Sequence, residues 1–479
     1  MNRKSHLALY SIVYAIFYSF CLYKNLGGAT FPFFVIGTLC YIYLCTKEFS
    51  LTWKKDSTFL SVAVILIGIS QPLTDKGFIH FFNVLFVFSI LIYITLRQFA
   101  FDENWTFLQS LGNLIQTFFG AFSKFFAPFK ELSAYLNNRK ENSEDNNSKI
   151  PWKTIIITFF ITLPFLIIVI LILSNADYIF SNMWEDLFDI ILPDMQWLKV
   201  ILLTLIVFLF GYGLITYLLK FPFSGEAKTT KQYNPAAAIT AGIMFDIIYA
   251  IFCFIQIFYL FMGRTALPTG GRTYAEYARE GFFELLFICL LNLVLVLVGS
   301  SLFSGNKILK ITLSFMCGCT YIMTASSAFR MILYIRYYYF TFLRILVLWA
   351  LVVIAILVTG LLMHLWKKKF NLFKFSLTVI LSAYIVLAFS HTDYLAVKWN
   401  MSQVGENAGF FIDTDGYEDY DYILYETCLD SAPIVYNYPE LAKQIPIYRN
   451  MHSDITKKAS FREFNLSVFL ARKYDKMIN

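Results

Sequence analysis

The sequence predicts an all-α polytopic membrane protein with about eleven transmembrane helices, its N-terminus inside and a small helical extracytoplasmic C-terminal tail. Three observations carry this. Of the 479 residues 58% are apolar and only 15% charged, more apolar surface than a soluble fold of this length can bury. Apolar runs of about 20 residues recur, the length a roughly 30 Å hydrocarbon core requires. They are continuous rather than alternating, which selects helices over barrel strands. Finally, the lysines fall in alternate loops, as expected when cytoplasmic loops hold the positive charge.

The candidate spans lie at 7–23, 29–46, 58–73, 78–97, 153–174, 197–219, 236–262, 282–302, 308–333, 341–366 and 373–390. The third and eleventh are short. Lys4, then Lys47, Lys54 and Lys55, the 124–153 segment, then Lys220, Lys228 and Lys231, then Lys307 and Lys310, then Lys367 to Lys369 and Lys374, mark one side. The net charge of +7 therefore sets topology and is no nucleic-acid signal. Eight cysteines show no zinc or disulfide spacing. Seven fall in spans, where they read as small buried apolar residues. The first apolar run lacks a small-residue cleavage site, so no cleavable signal peptide is expected.

Residues 1–100 form a four-span region, 101–150 a cytoplasmic connector, 151–390 a seven-span core and 391–479 the tail. In the connector Trp105, Leu108, Ile115, Phe118, Phe119 and Phe122 recur at helical spacing with Gln109 and Gln116 between them. That is an amphipathic interfacial helix, ending near Pro128. Residues 137–149 hold no apolar side chain and read as a disordered linker. A second, acidic interfacial helix is expected around Phe180 to Ile191.

Asp246 sits about ten residues into the seventh span, near mid-membrane. An ionisable residue there marks a functional site or a protonated packing contact. Asn292 in the eighth span lies at similar depth and is its candidate partner.

The stretch after the seventh span is the most distinctive. Gly270-Gly271 gives a turn, and Thr273 with Glu276 has capping-box spacing. Arg272, Glu276, Tyr277, Arg279 and Glu280 follow, with Glu284 one turn deeper. Arg330 and Arg344 come from the next two spans at the same side. Arginines on the lysine-poor side run against the usual trend. Two readings stand together: a site for an anionic lipid headgroup or phosphate, which arginine suits, and braces in which the arginines pair with the local glutamates.

Thr273-Tyr-Ala-Glu-Tyr-Ala-Arg-Glu-Gly-Phe-Phe-Glu-Leu, Ser327-Ala-Phe-Arg-Met with Arg344, and Asp393-Tyr-Leu-Ala resemble the bacterial multi-pass membrane family catalogued as domain of unknown function 4173, with its sister 4153. The similarity covers roughly residues 150 to 440. It implies an integral membrane protein of the bacterial cell membrane with no assigned activity, and no catalytic residues.

The tail, 391–479, holds 13 Asp/Glu and 9 Lys/Arg. Tyr422 to Leu429 and Phe461 to Tyr474 read as helices. Asp413 to Asp421 fails the calcium-loop pattern, since Gly416 stands fourth and Leu424 twelfth. No nucleotide loop, zinc-protease motif or nucleophile elbow appears. The five histidines are scattered and read as interfacial or structural. No metal and no cofactor are expected. The expected partners are membrane lipids, not nucleic acid. The function expected is a non-enzymatic envelope scaffold or sensor. The alternatives are a transporter or flippase working through Asp246 and the outer arginines, and an outer-leaflet lipid-phosphate transferase with Glu276, Glu280 or Glu284 as base.

Overall fold

A computed structural model describes residues 3–100, 105–131, 196–220, 233–262, 282–303, 305–367, 370–404, 422–438, 441, 445–455 and 460–478, with a few isolated positions besides. The helices are α1 (Arg3–Leu22), α2 (Thr30–Glu48), α3 (Lys55–Ser70), α4 (Gly77–Phe99), α5 (Phe107–Ser123), α6 (Gln196–Lys220), α7 (Pro235–Met262), α8 (Phe282–Leu302), α9 (Lys307–Tyr338), α10 (Phe342–Trp366), α11 (Leu372–Phe389) and α12 (Thr392–Val404). Short turns follow, then α13 (Ile445–Met451) and α14 (Leu466–Ile478). Among the described residues ten helices are long and apolar enough to cross a membrane. They coincide with ten of the eleven expected spans, including the short third and eleventh. The span at 153–174, the linker, the acidic helix near 180–191 and the loop at 413–421 lie outside the described residues.

The chain forms two compact units. In the first, α1 packs along α6. Lipid gives no hydrophobic drive between helices, so close packing and polar contacts must join them. Thr204 donates to Ser19 (2.8 Å), Tyr14 stacks on Tyr41 (4.6 Å between rings), and Ser11 and Tyr41 hydroxyls meet at 2.9 Å. The amphipathic connector is helical as expected. Its Phe118 and Phe122 rings lie against Phe210, and Gly120 sits so close on Tyr217 that a Cβ would meet the ring at 2.3 Å.

In the second unit α9 is the hub, packed against α7, α8 and α10. Its 32 residues run about 48 Å. Asn306, Thr341 and Asn371 cap α9, α10 and α11 by accepting from Ile308, Arg344 and Lys374 backbone N–H groups. Beside this bundle α3, α4 and α11 form a second set of contacts. Helix α4 has 23 residues, so it spans about 35 Å. Lys76 precedes it and Arg97 ends it, and no other charge lies between. That spacing matches a hydrocarbon core.

The C-terminal region builds its own core from Val397 and Met401 of α12 with Ile423, Leu429, Val435, Tyr448 and Ala471. Arg449 clamps Asp475 through Nε and Nη2 (2.8 and 2.5 Å), and Tyr436 donates to the same oxygen. The helical reading of the tail needs two corrections. Phe461 to Tyr474 is not one helix: a 3-10 turn (Phe461–Glu463) ends before Asn465, which caps α14 by accepting from Ser467 and Val468 N–H groups. The stretch from Tyr422 is a π-turn to Glu426, then a separate 3-10 turn at Leu429–Ser431.

Candidate functional site

Five of the sequence-predicted site residues, Arg272, Glu276, Tyr277, Arg279 and Glu280, lie outside the described residues. Glu284 is exposed in the first turn of α8. Arg330 is half-buried on α9, where its Nη2 donates to Gln256 Oε1 of α7 (3.1 Å). The same oxygen accepts from Ser326 (2.6 Å). The Arg344 guanidinium lies 4.4 Å over the Tyr334 ring and donates to the Tyr339 carbonyl. Each of these arginines therefore ties one helix to another or closes a turn.

Asp246 and Asn292 both face α9 but are not joined by a hydrogen bond. Asn292 Nδ2 donates to Thr320 (3.0 Å). The Oδ1 atoms of Asp246 and Asn292 are buried without a hydrogen-bond partner among the described residues.

The densest polar site lies elsewhere, where the C-terminal region meets the start of α4. Only Ser390 and His391 separate α11 from α12, so the chain must reverse there, and His391 takes a left-handed φ of 44°. Its Nδ1 donates to Asp430 Oδ2 (3.2 Å), which also accepts from Thr74 Oγ1 (2.6 Å). Asp430 Oδ1 accepts from Ser467 Oγ (2.5 Å) and the Asp75 backbone N–H (3.2 Å). Four donors thus surround a carboxylate whose side chain is 2% exposed. In the first turn of α12, Asp393 is fully buried. Its Oδ2 accepts from Lys76 Nζ (2.8 Å) and Cys428 N–H (2.8 Å). Lys76 also donates to the Glu426 carbonyl (3.2 Å) and lies 4.5 Å over the Phe342 ring. A buried ion pair holds only when such further contacts complete it.

The network continues into the spans. Asn465 Nδ2 donates to the Thr74 carbonyl (2.7 Å), and His80 Nε2 donates to the Thr74 and Gln71 carbonyls (2.8 and 3.0 Å). Gln71 Oε1 accepts from Asn83 (2.8 Å), whose Oδ1 accepts from the Tyr384 hydroxyl of α11 (2.7 Å).

The electrostatics follow from these contacts. Burial alone would raise the Asp430 carboxyl, but hydrogen bonds from His391, Ser467 and Thr74 outweigh it and hold it below its ordinary value. The Asp430 hydrogen bond raises His391 against the opposing effect of burial. Asp75, half-buried, is pushed up to about 7 by desolvation and by the neighbouring charges of Asp430 and Asp454.

A cavity of about 230 Å³ opens beside the network, lined by His391, Asp430 and Ser467 with Leu73, Pro433 and Leu470. The residue types invite a hydrolase reading, but the connectivity does not fit one. Ser467 donates to Asp430 and to the Leu73 carbonyl (2.9 Å), not to an imidazole that could take its proton. Asp430 bridges serine and histidine and braces both. Among the described residues no group of three His, Cys, Asp or Glu could hold a metal ion.

Sequence reasoning missed Thr74, Lys76, Asp430, Asn465 and Ser467. One signal was available: Lys76 stands alone in a short loop on the otherwise lysine-poor side. Asp393 was visible as part of the Asp393-Tyr-Leu-Ala motif, and His391 was read as structural, without a partner.

No curated protein and no solved structure matches the chain. Of the two sister families that the motifs resemble, 4153 is the one whose model is matched, and the match begins inside the third span, well before residue 150. Because that match covers residues 61–434, the chain belongs to the family described as domain of unknown function DUF4153.

Proposed function

We propose that this integral membrane protein is a non-enzymatic scaffold or sensor of the bacterial cell envelope, with the C-terminal region outside the cytoplasm as its input. One observation carries the reading. The C-terminal region is fastened to the start of α4 by the Lys76–Asp393 pair and by Asp430, with its serine and histidine held as braces rather than as nucleophile and base. A site built to be rigid suits the transmission of force or docking better than turnover. The outer arginine cluster belongs to the same reading as a contact for anionic lipid. The roles of Arg330 and Arg344 between helices support a bracing share in that cluster.

A second reading, transport or flipping, is favoured by the Oδ1 atoms of Asp246 and Asn292 inside the spans, which have no hydrogen-bond partner among the described residues. Complementation of a strain lacking the gene separates the two, with expression of each variant checked by immunoblot. The scaffold reading expects Asp393→Ala to fail under envelope stress and Asp246→Asn to complement. A full rescue by Asp393→Ala and none by Asp246→Asn would overturn it in favour of transport. Labelling of single cysteines in intact cells tests the sidedness. A cysteine near Lys476 should react with an impermeant reagent, and one near Lys220 should not.

A further inference from the structure

At the other end of α4 three charged side chains from three helices meet. Arg97 ends α4, Asp56 begins α3 and Lys374 begins α11. Arg97 Nη2 (3.1 Å) and Lys374 Nζ (2.5 Å) both donate to the same oxygen, Asp56 Oδ2. Two cations therefore share one carboxylate oxygen. The Arg97 side chain is 5% exposed, whereas Asp56 and Lys374 are about half exposed. A cavity of about 290 Å³ opens on the cluster. Its lining changes with depth in the same sense on all three helices. One turn further into each helix, Phe59 and Leu60 follow Asp56, Tyr93 precedes Arg97, and Leu377 and Thr378 follow Lys374, the Thr378 hydroxyl turned back onto the Lys374 carbonyl (2.8 Å). One helical turn is about 5.4 Å, so charge gives way to apolar surface within the height of a lipid headgroup.

We infer that this cleft binds the phosphate ester of an anionic glycerophospholipid, in the leaflet on the lysine-rich side. The ester oxygens would meet Arg97 and Lys374, and the glycerol and acyl groups the apolar half. Arginine's planar fork suits a phosphate better than a point charge does, and charge-assisted contacts to it are the strong ones. A soluble phosphate ester would meet the same two cations but would leave the apolar half of the cleft unused. This site is separate from the outer arginine cluster and does not rest on the scaffold reading.

Native mass spectrometry of the full chain in detergent tests it, with phosphatidylglycerol, phosphatidylcholine and glycerol 3-phosphate as probes. Wild type should retain phosphatidylglycerol over phosphatidylcholine. Lys374→Gln should weaken that retention roughly tenfold, the loss of one charge-assisted hydrogen bond. Asp56→Asn removes the carboxylate charge that both cations share and should strengthen it severalfold, an outcome that misfolding cannot imitate. Glycerol 3-phosphate binding with the same ranking of variants, and displacing the lipid, would keep the phosphate and reassign it to a soluble ester. Equal retention of both lipids, or no gain in Asp56→Asn, would overturn the proposal.

Discussion

Lys76 and Asp393 should respond unequally to substitution, and the inequality can be worked from their surroundings. Lys76→Met removes the partner of a carboxylate that is 0% exposed and keeps only the Cys428 N–H. An uncompensated buried charge of this kind costs about 3–5 kcal/mol. Asp393→Asn leaves an ammonium that is 16% exposed and still has the Glu426 carbonyl and the face of Phe342. The expected cost is nearer 2–3 kcal/mol. The amide cannot restore the site. Its NH2 either faces Lys76 and the Cys428 N–H, or takes the place of the buried Oδ1, which has no hydrogen-bond partner. In the double variant Lys76→Met/Asp393→Leu both charges vanish, and the main remaining penalty is the Cys428 N–H without its acceptor, about 1–2 kcal/mol.

The double variant should therefore be more stable than either Lys76→Met or Asp393→Asn, and the cycle closed with the single variant Asp393→Leu should show a coupling of several kcal/mol. Limited proteolysis of the C-terminal region along a denaturant series in detergent reads this as the midpoint of its release. Additive losses, or an Asp393→Asn protein less stable than Lys76→Met, would refute the assignment of a coupled buried pair.

Three further outcomes follow from the same site and from the spans. At Gly28 an added Cβ would lie 2.1 Å from the Arg462 carbonyl oxygen and 2.8 Å from Glu463 Cα, both backbone atoms. Gly28→Ala should loosen the 461–463 turn and cost about 1–3 kcal/mol, read as faster cleavage there; unchanged cleavage counts against the packing. Attachment of the tail should also weaken as pH rises from 3.8 to about 7, where Asp75 acquires its penalty, and further above 6.5 as His391 loses its proton. His391, raised above 6.5, contributes stability below that value and loses it as it deprotonates. Asp75 ionises near 7 in the folded state against 3.8 unfolded, so its penalty grows over that interval and is complete above it. Asp430, lowered, contributes stability above about 3.8 that is lost only on strong acidification. Asp75→Asn should flatten part of the fall in a melting series, and an identical slope would remove Asp75 from the account. Finally, Asp246→Leu should raise the melting temperature, because a buried carboxylate oxygen without a hydrogen bond costs about 1–3 kcal/mol; a drop would show that Asp246 braces α7 against α9.

The spans were legible because a run of apolar residues long enough to cross lipid has few alternatives, and ten of them stand where the sequence puts them. Helix ends in the tail were less so. Phe461 to Tyr474 carries one apolar pattern, yet the side chain of Asn465 satisfies two backbone N–H groups and starts a new helix there. Helix α12 went unread because only two residues part it from α11. The pairings within the polar network could not be read. Thr74 and Asp430 are 356 positions apart, Lys76 and Asp393 are 317 apart, and each residue taken singly resembles a solvated loop residue. The arginine cluster was inferred by the opposite logic, as positive charge away from the lysine-marked loops, and Arg272, Glu276, Tyr277, Arg279 and Glu280 lie outside the described residues. Of its members Arg330 and Arg344 have contacts that a helix-bracing role explains.

Helix α4 joins the two polar ends of this unit. Lys76 holds one end to Asp393, Arg97 holds the other to Asp56, and between them Asn83 and the Ile79 carbonyl accept from Tyr384 of α11. A helix of about 35 Å pinned at both ends and at one interior turn cannot slide along its axis without breaking one of these contacts. Phosphate bound at Arg97 and Lys374 would add a further restraint to α4 and α11 together. If that restraint reaches Lys76, binding and attachment are linked and the linkage is reciprocal. Phosphatidylglycerol should then raise the midpoint for release of the C-terminal region. Under conditions where Lys76→Met releases the C-terminal region, its retention of phosphatidylglycerol should fall by the same factor, roughly two- to fivefold for coupling at the weak end of the usual range. A lipid effect on release without the reciprocal effect on retention is thermodynamically inconsistent with a single cleft, and would point to lipid acting at another surface. No effect in either direction would mean that α4 holds its two ends independently.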